Sequence, residues 1–270
     1  MCDLVQKYNV PGPRYTSYPT VPYWDVDSFS GMKWEESVRR SFAESNDASG
    51  ISLYIHLPFC ESMCTFCGCH KRITCRHSVE VPYIEALLEE WKLYRELFGK
   101  RPLIRELHLG GGTPTFFSPE NLQRLLRGLF RHADRAPQWE FSFEGHPMNT
   151  TREHLRVLYE AGFRRVSYGV QDYNETVQKA INREQTFAQT KAVADAVRAA
   201  RGKGAHAMRP RIGIGGIDID VLDRHAERQG RLHPRHLPHD RRHRCARSGL
   251  RRGAHRGVPQ AADHVDVDRW

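Results

Sequence analysis

Between residues 51 and 202 short apolar runs alternate with longer amphipathic stretches. "ISLYIHLPF" (51–59) has the length and composition of a strand. "PYIEALLEEWKLYRELFG" (82–99) spaces its apolar residues as a helix with one buried face does, up to a glycine stop. "LIRELHL" (103–109) predicts a second strand that runs into Gly110, Gly111, Gly112 and Thr113. In "SPENLQRLLRGLFRHA" (118–133) Ser118 suits a helix cap, Pro119 the first turn, and Glu120 stands early in the helix. "WEFSFEG" (139–145) predicts a third strand, "TREHLRVLYEAG" (151–162) a third helix, "RRVSYGVQD" (164–172) a fourth strand and "TFAQTKAVADAVRAARG" (186–202) a further helix. Four such alternations with short connections predict an α/β fold of parallel strands joined by crossover helices. The chemically distinctive residues gather at strand C-termini: cysteines after the first, glycines after the second, Glu144 at the third, Gln171 and Asp172 at the fourth. That is the edge where α/β barrels and open sheets place their active sites.

The flanks read differently. Upstream, "PGPRYTSYPT" suits an extended arm, followed by a short helix around residues 34–43. Downstream of about Gly202 the pattern stops where a fifth strand is due. The expected division is an arm (1–50), an α/β core (51–202) and a basic tail (203–270). Residues 201–270 hold 15 Arg and 1 Lys against 8 Asp and Glu, +8 of the net +9, and only Trp270 of the 27 aromatics. Such a tail has little from which to build a core. It reads either as a disordered segment that binds nucleic acid or as GC-rich coding DNA translated out of frame, in which Arg, His, Gly, Pro and Ala dominate. The abrupt stop in mid-architecture favours the second. The first 200 residues are nearly neutral and offer no basic face, so no nucleic-acid partner is expected. No apolar run approaches the roughly 18 residues that span a bilayer, and the N-terminus lacks a secretory signal's apolar core, so a cytoplasmic protein without a membrane partner is expected.

In a reducing compartment, four cysteines within "YIHLPFCESMCTFCGCHK" (54–71) point to metal binding or chemistry rather than disulfides. Cys2, Cys75 and Cys245 are scattered and read as ordinary thiols. The spacing C-x3-C-x2-C of Cys60, Cys64 and Cys67 lets three thiolates bind three irons of a 4Fe-4S cube and leave the fourth open. Structural zinc on Cys60, Cys64, Cys67 and either Cys69 or His70 is the alternative. Zinc sites usually pair two ligands from one turn with two from a distant segment, whereas these candidates lie within eleven residues.

C-x3-C-x2-C with Phe66 before the third cysteine resembles the radical S-adenosylmethionine (SAM) superfamily. The extension to C-x3-C-x2-C-x-C, with "PGPRYTSYPT" upstream, "GGGTPT" (110–115), "GVQD" (169–172) and "NREQ" (182–185), is similar to the family of oxygen-independent coproporphyrinogen III oxidases. The resemblance covers residue 8 to about 200 and implies a partial (β/α) barrel of radical SAM type, with about four recognisable βα units and incomplete at the C-terminus.

It also implies a site. Cys60, Cys64 and Cys67 would ligate the cluster, with Cys69 as a fourth, non-ligating cysteine. Tyr54, Gly111 and Glu144 would contact a first SAM chelated to the open iron. Phe66, Gly112, Thr113, Gln171 and Arg183 would hold a second SAM. Taken alone, Gln171 and Arg183 would be bland surface or cap residues, and most Gly-Gly-Gly runs are only turns. The sequence reads "EGHP" (144–147) where the family usually has "EVDP". The implied reaction is reductive cleavage of SAM to a 5′-deoxyadenosyl radical that takes a hydrogen from a propionate β-carbon. Carbon dioxide then leaves and an electron passes to an acceptor, twice per molecule, turning coproporphyrinogen III into protoporphyrinogen IX in porphyrin and haem biosynthesis. A reductant and an electron acceptor are implied partners, a monomer is expected, and Arg14 in the arm would hold a substrate propionate. The family needs further strands, another acidic contact and a C-terminal domain. A chain lacking them is expected to be catalytically defective, with an unpaired strand edge and apolar faces uncovered. A haem-binding, chaperone-like relative and a nucleic-acid-binding module are the alternative functions.

Overall fold

The computed structural model describes residues 23–25, 27–199, 208–214 and 217–218, the last two segments from residue 211 onward by backbone alone. In chain order the elements are α1 (Gly31–Ser45), β1 (Ile51–Leu57), β2 (Phe59–Cys60), β3 (Arg72–Ile73), α2 (Glu80–Phe98), β4 (Leu103–Gly111), α3 (Pro119–Phe130), β5 (Asp134–Gly145), α4 (Arg152–Glu160), β6 (Phe163–Gln171), α5 (Glu175–Ala180), α6 (Phe187–Ala199), β7 (Arg209–Ile214) and β8 (Ile217–Asp218). One sheet takes the order β1-β4-β5-β6-β7-β8. All its neighbours pair in parallel except β7 and β8, which are antiparallel. β2 and β3 form a separate parallel pair, Phe59 opposite Arg72 and Cys60 opposite Ile73, which pins the two ends of the cysteine loop.

The helices form where their ends are satisfied. Ser118 Oγ accepts from Asn121 N–H at 3.2 Å at the head of α3, where Pro119 needs no partner for a missing N–H. Thr151 and His154 cap α4 reciprocally: the Thr151 hydroxyl accepts from His154 N–H while the His154 ring accepts from Thr151 N–H. α2 stops at Gly99, whose φ of 67° is left-handed and suits glycine. At the start of α2 the buried Glu80 carboxylate accepts from Ser118 N–H and the Asn121 side chain, tying α2 to the head of α3.

Along the strands burial alternates. In β4 Ile104, Leu107 and Leu109 are buried, in β5 Phe141 and Phe143, in β6 Val166, Tyr168 and Val170. These residues join Ile84, Leu122, Leu125, Leu155 and Leu158 from the helices in one core cluster, apart from Val170. Each fully buried Leu, Val or Phe contributes about 1.5–3 kcal/mol against exposure. The opposite residues form rows across the sheet: Tyr54, His108, Ser142 and Arg165 occupy successive register positions, and Glu144 lies opposite Ser167. The face away from the core is thus polar. Period-two alternation assigns the apolar set of these strands to the helix side.

Past Gly202, where the sequence pattern stops, regular structure continues over the described residues. β7 is the due fifth parallel strand, with Val166 opposite Pro210 and Tyr168 opposite Ile212. Its sequence, "RPRIGI", hides it: two arginines, a proline and a glycine dilute the apolar signal, whereas the ladder is made by main-chain groups. "PGPRYTSYPT", Arg14 and the rest of the basic tail lie outside the described residues.

Candidate functional site

At the carboxyl ends of β4, β5 and β6 a cleft of about 640 Å³ opens against the cysteine loop. Cys60, Cys64, Cys67, Phe66, Gly111, Gly112, Thr113, Glu144, Gln171 and Arg183 all line it, as does Cys69. These residues are spread over more than a hundred positions of sequence, and strand ends bring them together. Tyr54 is the exception. Its hydroxyl lies 3.0 Å from His56 Nδ1, and its ring stacks with His108 on the polar face at 5.8 Å between centroids. Burial, then the Glu144 carboxylate, pushes its hydroxyl above the ordinary tyrosine value.

The loop is held from outside. Thr65 N–H donates to Ile181 O (3.1 Å) and its hydroxyl to Ala180 O (3.2 Å). Asn182 Nδ2 donates to Met63 O at 2.8 Å, and Arg183 Nη1 to Cys64 Sγ at 3.5 Å. Residues 180–183 therefore clasp residues 63–65. From inside, Lys71 Nζ donates to the carbonyls of Cys67 and Cys69 at 3.0 and 3.4 Å. His56 Nε2 lies 2.7 Å from His70 O. Sequence reasoning missed Lys71, Asn182 and His56, whose roles rest on contacts made across the fold.

The glycine run owes its composition to close protein neighbours. A Cβ on Gly112 would come within 2.5 Å of Pro58 O, and one on Gly111, whose φ is +113°, within 2.7 Å of the His56 ring. Gly112 N–H and Thr113 N–H donate to Leu57 O and Phe59 O at 2.9 Å, lacing the end of β4 to the entry of the cysteine loop. Gln171 ends β6 at φ 70°, a strained value for a residue with a side chain, and the Cβ-less Gly169 leaves room for its amide.

Charge in the cleft is mixed. Glu144 Oε1 lies 3.6 Å from His108 Nε2, and His108 Nδ1 lies 2.8 Å from Ser142 Oγ. Cys60 Sγ lies 3.3 Å from Thr113 Oγ1. Burial raises the Cys60 thiol above its ordinary value, and the Thr113 hydrogen bond offsets part of this. Cys69 is raised as well, by burial and then by Cys67. His146, from the departing "EGHP" stretch, accepts Met148 N–H on Nδ1 at 3.2 Å. Burial, then the nearby Arg183, lowers it to about 4, so it is a neutral ring in the cleft. The neighbouring Gly145 is required locally, because a Cβ there would meet the Tyr168 ring at 2.7 Å.

Cys60, Cys64 and Cys67, three thiols of one loop, line one cleft, a donor set that fits three irons of an iron–sulfur cube. The cleft also has the volume of a small-molecule pocket, about 300–1,000 Å³. Among the described residues no helix is long and apolar enough to cross a membrane.

A sheet of parallel strands whose carboxyl edge faces a three-thiol loop places the chain in a class. Residues 54–227, well over half its length, match the radical SAM superfamily, and the chain belongs to it. The cofactors of that superfamily are a 4Fe-4S cluster and SAM. Among relatives, the oxygen-independent coproporphyrinogen III oxidase of Pseudomonas aeruginosa is 35% identical over 198 residues, covering 73% of this chain and 42% of that protein. The Helicobacter pylori J99 protein of the same name is 39% identical over 206 residues, covering 75% and 43%. The solved coproporphyrinogen III oxidase (HemN) from Escherichia coli, described as a radical SAM enzyme, superposes with a TM-score of 0.66 at 32% identity, over 78% of this chain and 44% of that one. The chain thus spans about two-fifths of the length of the curated relatives it matches.

Proposed function

We propose that the chain carries the cofactor-binding part of an oxygen-independent coproporphyrinogen III oxidase. The observation that carries this reading is the convergence of Cys60, Cys64, Cys67, Gly111, Gly112, Thr113, Glu144, Gln171 and Arg183 on one cleft. The names of relatives at 35–39% identity support the substrate. Cys60, Cys64 and Cys67 hold three irons, and Cys69, the most exposed thiol of the loop, holds none. The main chain at Gly111 and the Glu144 carboxylate face a first SAM, with Glu144 accepting from its amino or hydroxyl donors. Tyr54 acts from beside the cleft through His56. Phe66, Gly112, Thr113, Gln171 and Arg183 border the space for a second SAM. When bound, cluster and SAM supply one-electron cleavage of the sulfonium and the carbon radical that abstracts hydrogen from a substrate propionate. The polar row Tyr54, His108 and Ser142 keeps the approach to the cleft compatible with an anionic tetrapyrrole. A reductant and an electron acceptor complete the reaction.

The test is anaerobic reconstitution with iron and sulfide, followed by SAM, a reductant and coproporphyrinogen III. An oxygen-sensitive brown cluster is expected from this chain, and decarboxylated porphyrinogen from a version extended to the length of the relatives, on which the substrate is judged. Stoichiometric zinc without labile sulfide would overturn the cluster. Deoxyadenosine with unchanged porphyrinogen would overturn the substrate alone.

A further inference from the structure

Two of the three ligand thiols have fixed hydrogen-bond donors, and both donors belong to residues that line the cleft. Thr113 Oγ1 lies 3.3 Å from Cys60 Sγ, and against a thiolate the hydroxyl can only donate. Its position is set by the main chain, because Thr113 N–H donates to Phe59 O, next to Cys60. Arg183 is more constrained. Its Nε and Nη2 both donate to Gly169 O at 3.0 and 2.6 Å, which leaves Nη1 directed at Cys64 Sγ at 3.5 Å. Gln185 supports this fork by donating to Val170 O at 2.5 Å, and is itself locked to the buried Gln178. Lys71, a cation of the loop itself, donates to the carbonyls of Cys67 and Cys69.

We propose that Thr113 and Arg183 set the reduction potential of the cluster by donating hydrogen bonds to the sulfurs of Cys60 and Cys64. The inference rests on the cluster reading above and goes beyond it. Reduction adds one negative charge to the cluster. A guanidinium N–H on one thiolate and a hydroxyl on another stabilise the more negative state, so both raise the potential. The two residues then act on the electron that enters the cluster, in addition to any contact with SAM.

The experiment is a potentiometric titration of the reconstituted 270-residue chain, followed by electron paramagnetic resonance of the reduced cluster. Thr113→Val and Arg183→Gln are each expected to shift the midpoint to more negative values at unchanged iron and labile sulfide, while Thr113→Ser, which keeps the hydroxyl, retains the original midpoint. A structural role alone would change cluster content and leave the midpoint. If Arg183→Gln loses its cluster, the Thr113→Val and Thr113→Ser pair decides. Full clusters with the unsubstituted midpoint in the Val and Gln variants would overturn the inference. No cluster in the unsubstituted chain would overturn the reading beneath it, and this inference with it.

Discussion

Two cavities of nearly equal size lie at opposite ends of the β1–β4 pair. The cleft at the carboxyl end measures about 640 Å³, and the groove at the amino end, between α1, α2 and the start of β1, about 610 Å³. Their walls differ in kind. The groove is built from Trp34, Phe42, Trp91, Tyr94 and Phe98, interleaved with serines. Phe42 stacks flat on Phe98 at 4.0 Å, and Trp34 meets Tyr94 edge-on at 5.7 Å. That is the chemistry of packing a helix onto a sheet edge. The cleft instead gathers thiols, a carboxylate, a guanidinium and glycines from strand ends. Convergent groups with charge and lone pairs, rather than empty volume, mark the site.

The comparison breaks most decisively at the thiols. Cys64→Ser is expected to abolish cluster assembly, whereas Cys69→Ser retains it; iron and labile sulfide per chain measure both, and equal loss would make Cys69 a ligand. In the groove, Phe42→Ala should cost about 3–5 kcal/mol of folding stability through the cavity it leaves without changing iron bound per folded chain. Urea unfolding checks the first part, and a cluster lost from still-folded protein would show that the two cavities are coupled. Next comes Gly112→Ala. Its methyl would press on Pro58 O and Phe59 O, main-chain atoms that cannot turn aside, at about 1–3 kcal/mol. The exposed Ser41→Ala in the groove should stay within about 0.5 kcal/mol. Similar costs for the two would remove the distinction between tight lacing at the cleft and loose packing at the groove.

A further effect is one of pH. Above about pH 6.5 His146 is neutral whether the chain is folded or not, and contributes no slope. Between 6.5 and about 4 the unfolded chain takes up a proton that the folded ring refuses, so stability falls as pH falls. His154, also lowered by burial, pulls the same way in every variant and cancels in the difference. His146→Gln should flatten the slope over that window in denaturation curves. An unchanged slope would mean that the ring is protonated within the fold.

Much of this contrast was legible before folding was considered. The four βα units announced themselves through apolar runs bounded by glycines and caps, and Ser118 and Gly99 stand where capping rules put them. The cysteine spacing pointed to a metal site and left zinc open until the neighbouring motifs were read with it. β7 stayed hidden because its arginines and proline obscure a strand whose pairing is main-chain work. The two-residue strands β2 and β3 and the six-residue α5 are too short to carry a period. Lys71, Asn182 and His56 were unreadable for a different reason: a lysine, an asparagine or a histidine acquires its role from what faces it. Tyr54, which resemblance pointed to the first cofactor, stands beside the cleft rather than in its wall.

The clasp between residues 63–65 and 180–183 also bears on when the site comes into being. Its bonds join partners 115 to 119 positions apart, so closing it carries the entropic penalty of a long loop, which grows as the logarithm of length. The cysteines leave the ribosome early, and the residues that support them from outside emerge more than a hundred positions later. The framed loop is therefore a product of tertiary contacts far apart in sequence. A nascent chain stopped after β5 would display the same four thiols without the framework that spaces them.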